Sequence, residues 1–97
     1  MLIIKGKPEL VEAVRNDSIE FYGMDGDGCQ APGAIVIREQ PHNQAHPFVV
    51  HFANTQSGGY GGGEYCETLE SAQARFVDKC TRYDPAARLN ASFNARL

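Results

Sequence analysis

The sequence predicts an α+β domain: an antiparallel sheet of four to five strands, with one long helix and one or two short helices packed mainly on one face. Three observations carry that expectation. Residues 48–53 (FVVHFA) alternate so that Phe48, Val50 and Phe52 share one side of a strand and Val49, His51 and Ala53 the other. Leu69, Ala72, Phe76, Cys80 and Tyr83 recur at the three- and four-residue spacing of an amphipathic helix. Between residues 19 and 67, short strand-like runs follow one another with only turn-rich links, which favours a meander.

Taken in order, residues 2–5 form an apolar run that reads as an opening strand. Pro8 then stands where a first helical residue would, with Glu9 and Glu12 early and Arg15 late, an order that suits the helix dipole. Leu10, Val11 and Val14 supply the apolar stripe, so a helix is expected over residues 8–16. Residues 19–22 (IEFY) alternate as a strand, and residues 34–37 (AIVI) are apolar on both sides, the pattern of a strand covered on both faces. Pro41 and Pro47 bracket a polar loop. The glycine-rich stretch from Thr55 is expected to turn the chain, with residues 64–67 returning as a partner strand. Thr68 is a credible N-cap for the long helix over residues 69–83, and Asp84-Pro85 a start for a short closing helix carrying Leu89, Phe93 and Leu97.

At 97 residues the chain has room for one domain with one core, residues 1–97. Its 42% hydrophobic and 22% charged residues are those of a globular protein. A formal charge of −3 argues against a nucleic-acid binder, which normally presents a basic face. No run fits a signal peptide or a membrane span, so a cytoplasmic setting is expected, with Cys29, Cys66 and Cys80 as reduced thiols.

The motifs give little chemistry. In TQSGGYGGGEYC the nearest approach to a dinucleotide fingerprint, Gly59-Tyr60-Gly61, has Glu64 where its third glycine should be. The next element reads as a strand, so a phosphate would lack a helix N-terminus to rest on. His42 and His46 sit in a proline-framed loop and no Cys-x-x-Cys occurs, so no metal is expected. Asp25 and Asp27 begin a segment like a calcium loop, but Gln30 and Val36 stand where a glycine and a glutamate are needed. A Cys66–His51 pair on neighbouring strands is the only candidate for nucleophilic catalysis, and it has no clear orienting group. Arg75, Lys79 and Arg82 lie at helical spacing and offer either a solvated face or a docking patch for an acidic partner.

The remaining signal is aromatic. A tyrosine among glycines at a hairpin has the composition of an adaptable recognition loop, unless it folds back over Val49 and Ala53. The expected binding residues are therefore Gly58, Gly59, Tyr60, Gly61 and Tyr65, with Asp25 and Asp27 as a second contact. Residues 47–80, with Asn54, Gly58, Gly59, Tyr65, Leu69, Glu70, Ala72 or Ala74, and Phe76, resemble small uncharacterised proteins encoded by bacterial phages and plasmids. Glycines at positions 61–63 depart from the bulkier residue common in that family. The resemblance implies a mobile-element origin and no defined activity. In size and compactness the chain is also similar to inhibitors of bacterial defence complexes. The expected function is that of a non-enzymatic binding module without cofactor, whose partner is a host or element-encoded protein. The alternatives are a small cysteine-dependent enzyme using Cys66 and His51, and self-association through an edge strand.

Overall fold

The computed structural model describes residues 4–24 and 32–83. They form an α+β fold: helix α1 (Pro8–Asp17), strands β1 (Ser18–Met24), β2 (Gly33–Glu39), β3 (Phe48–Asn54) and β4 (Tyr60–Cys66), then helix α2 (Leu69–Tyr83). The four strands make one sheet in the order β1-β2-β3-β4, every pair antiparallel, as short links between consecutive strands favour.

The sheet carries a core on each face. On one, α2 lays Ala72, Phe76 and Cys80 against Ile35, Ile37, Val50 and Cys66, with Phe48, Phe52 and Leu69 around them. Thr68 caps α2, its Oγ1 accepting from the backbone N–H of Ser71 at 3.1 Å. Gln73 donates to Glu20 Oε1 at 2.8 Å and ties the helix to β1. On the opposite face α1 sets Val14 and Val11 over Phe21, Ala34, Val36 and Ala53, with Ile4 beside them. The expectation of helices mainly on one face therefore needs correction for α1. Leu10, Val11 and Val14 are apolar enough to cover a second side, and β2 supplies it, its residues 33–37 being buried on both faces.

Other boundaries shift. Ile4 and Lys5 are not in a strand, and residues 2 and 3 lie outside the described residues. This lead-in is held instead by Thr55, whose Oγ1 donates to the Lys5 carbonyl and whose own carbonyl accepts from the Lys7 N–H at 2.9 Å. The closing helix, with Leu89, Phe93 and Leu97, and the Asp25/Asp27 loop with Cys29 also fall outside the described residues. No helix among the described residues is long and apolar enough to cross a membrane.

The largest change concerns the glycines. The turn proper spans residues 55–58: Asn54 N–H donates to the Gly59 carbonyl and Gly58 N–H to the Asn54 carbonyl, both at 2.8 Å. Asn54 Oδ1 accepts from the N–H groups of Gln56 and Ser57, a side chain mimicking a backbone turn. Strand β4 begins at Tyr60, four residues earlier than expected, so glycines 61–63 belong to the ladder.

Candidate functional site

Tyr60 and Tyr65 lie five positions apart, an odd offset that on a regular strand puts them on opposite faces. Here Tyr60 is registered with Ala53 and Tyr65 with Val49, residues an even number apart on one face of β3. The odd residue is absorbed between Val50 and Phe52, where the β3–β4 register shifts. Gly62, at φ +66°, supplies a left-handed residue at this shift, a conformation that glycine adopts without steric cost. Both tyrosines therefore project from the α1 side of the sheet, half exposed at 50% and 55%.

The Tyr65 ring leans back over Gly63, beside Val49. Tyr60 folds inward over β3, its ring stacked on that of His51 with centroids 4.4 Å apart and planes 14° from parallel. The guanidinium of Arg38 on β2 lies 4.7 Å from the centre of the same Tyr60 ring. The sequence offered Tyr60 either as an exposed partner contact or as a cover over Val49 and Ala53. Its ring lies over His51, opposite Ala53 in the register, and half of it faces solvent.

His51 is buried, and its pKa falls from 6.5 to about 4. Burial is the largest cause, followed by the positive charges of Arg38 and Lys79. At neutral pH it is an uncharged imidazole whose Nε2 has no hydrogen-bond partner.

Cys66 points the other way. It is registered with Phe48 and packs with Phe76 and Cys80 under α2, while His51 faces the α1 side. The sheet stands between thiol and imidazole, so the proximity expected for a Cys66–His51 pair is not formed. Paired strands bring residues together only when both point to the same face.

On the α2 side of β4 a second cluster forms. Glu64 receives Arg75 at 3.4 Å and Lys79 and Arg82 at 3.3 Å, and Arg82 also reaches Asp78 at 3.4 Å. Lys79 is buried and donates to the Gly62 carbonyl at 3.1 Å, so the bulge is bolted to α2. The basic stripe read from the helix is thus partly spent inside the protein. Among the described residues no three His, Cys, Asp or Glu side chains converge as a metal site would need.

Of the expected binding residues, Gly58 closes the turn and abuts Leu10 of α1, Gly59 links the turn to β4, and Tyr60, Gly61 and Tyr65 lie along β4. Arg38 was absent from that set. Its signal was a lone cation following Ala34 and Val36 at the two-residue spacing of a buried face. Comparison with protein-family models, with curated proteins and with solved structures gives no match.

Proposed function

We propose that the protein is a non-catalytic binding module that engages another protein through the β3–β4 half of the sheet on the α1 side. The observation that carries this reading is the bulge at Gly62, which brings two half-exposed tyrosines onto one face, with Arg38 against the Tyr60 ring. Tyrosine and arginine are the residue types that dominate protein interfaces, since they supply large contact area at low entropic cost. Tyr60 is partly immobilised by its stack on His51. The resemblance to mobile-element proteins points to a host protein as the partner, including a component of a defence complex.

Affinity capture from a bacterial lysate, followed by a binding measurement with the purified partner, tests the reading. Tyr65→Ala is the cleaner variant, because Tyr60 also covers His51. Its affinity should fall about 30-fold, the effect of losing an interface anchor of roughly 2 kcal/mol. A partner bound equally well by Tyr65→Ala and Tyr60→Ala would refute the assignment of this face. Self-association is the second reading, favoured by the position of β4 at the end of the strand order. A mass that stays monomeric across a concentration series would dismiss it.

A further inference from the structure

Strand β4 ends the sheet, and among the described residues no strand pairs with its outer edge. Edge strands are ordinarily protected by proline, lysine or an inward-pointing charge. Strand β4 has no proline and no lysine, its residues 60–63 are exposed, and its one charge, Glu64, is drawn toward α2. Glycines at 61, 62 and 63 leave bare backbone that a second chain can approach closely. The bulge interrupts that backbone, and Lys79 takes the Gly62 carbonyl. Main-chain pairing alone therefore holds weakly here, and the side chains beside the edge decide what is held.

Two features lie along this edge on the α2 side. Beside Phe52 an open depression of about 230 Å³ is lined by Asn54, Gly59, Tyr60 and Gly61, and a side chain at Gly61 would meet nothing within 4 Å. Further along, Arg75 and Arg82 converge on Glu64 with side chains 61% and 58% exposed. With Lys79, three cations there face two carboxylates, Glu64 and Asp78. This local excess of positive charge stands out on a chain whose formal charge is −3. Gly61 is registered with Phe52 and Glu64 with Val50, two residues apart on β3, so the depression and the arginines are one strand repeat apart.

We propose that the outer edge of β4 receives an extended segment of the partner protein, which joins the sheet as an antiparallel fifth strand. An acidic residue of that segment meets Arg75 and Arg82, and an apolar residue two positions later lies over Gly61 onto Phe52. This deepens the binding reading above and rests on it: the alternate residues of the segment turn to the opposite face, beside Tyr60 and Tyr65. A second copy of the chain is the poorer occupant. Antiparallel β4–β4 pairing would set both α2 helices on one face of the joined sheet, with the arginines of each turned toward those of the other.

The test titrates the intact, nitrogen-15-labelled protein with the capped hexapeptide Thr-Thr-Glu-Thr-Phe-Thr. Saturable shifts in the backbone N–H signals of residues 60–65 are expected. Exchanging the Glu of the peptide for Gln should weaken binding about tenfold, and the double variant Arg75→Gln/Arg82→Gln should abolish that difference while Lys79 keeps Glu64 paired. Absence of saturable shifts along β4, or equal affinity for the Gln peptide, would overturn the site. Equal binding of the same peptide with its backbone N-methylated at alternate residues would overturn strand addition, since a pairing strand needs its N–H donors. A purified protein partner lost with Tyr65→Ala but held at full affinity by Arg75→Gln/Arg82→Gln would overturn this inference and leave the binding reading standing.

Discussion

His51 makes the fold sensitive to acid over a defined window. Its pKa is about 4 in the folded chain against 6.5 ordinarily, so the unfolded chain takes up the proton first as pH falls. The stability that comes from keeping the ring neutral is complete above the ordinary value. It is lost progressively as pH falls from there to about 4, and is gone below that. The span corresponds to roughly 3 kcal/mol, of which about 2 kcal/mol is already lost at about pH 5. Against the ~5–15 kcal/mol that stabilises a domain of this size, that is a large share.

The perturbation is His51→Phe, which keeps an aromatic ring under Tyr60 and removes the proton site. Urea unfolding of both proteins at about pH 7.5 and about pH 5 gives a double difference in which titrating groups common to the two proteins cancel. The wild type should lose about 2 kcal/mol more than the variant on acidification. An equal loss in both proteins would refute the reasoning, because it would mean that His51 titrates alike folded and unfolded. Arg38→Met separates the causes. The His51 pKa, followed by its ring resonances, should rise when the neighbouring charge goes, yet stay below 6.5 because burial is the larger cause.

Three further outcomes follow from the packing. Phe76→Ala, at a position with no exposed surface in the α2 core, should cost about 3–5 kcal/mol by urea titration and bring the chain close to unfolding. Glu64→Gln should cost about 1–3 kcal/mol, chiefly through buried Lys79, since pairs with the exposed Arg75 and Arg82 contribute little. Adding Lys79→Met should recover much of that loss by removing the stranded charge. Gly62→Ala should cost about 1–2 kcal/mol, from its φ of +66° and a new Cβ 3.0 Å from Lys79 Nζ, whereas Gly61→Ala, with open space around it, should be neutral or slightly stabilising. Equal thermal shifts for the two glycine variants would remove the argument for a bulge.

Elements that repeat a period were legible in the sequence. The Phe48/Val50/Phe52 side of β3 does meet α2, and the three- and four-residue spacing along α2 does bury Ala72, Phe76 and Cys80. In the opening run only Ile4 and Lys5 are described and neither is in a strand, because the apolar side chain of Ile4 is spent on a core instead of a ladder. Glycines 61–63 read as turn because glycine is the strongest local punctuator, yet their neighbours on β3 hold them in the ladder. Tyr60 and Tyr65 stood out in the sequence as candidate contact residues, but their shared face did not. Arg38 and His51 come together only through the β2–β3 register, which local propensity does not encode.

The bulge joins these observations. Without it, Tyr60 would turn to the α2 side, uncover His51 and leave Arg38 without an aromatic ring to lie on. A bulge also disrupts the edge of a sheet, so β4 is a poorer template for indiscriminate strand pairing than its glycine content suggests. Under the proposed binding mode, the same residue that weakens the edge as a strand partner favours the face that carries the two tyrosines. Lys79 fixes it from behind by binding the Gly62 carbonyl, so α2 holds in place a surface that it never touches from the front. Under the proposed binding mode, glycine at position 62 serves function as well as fold. A residue with a side chain would strain the backbone at the point where the two tyrosines are brought into line.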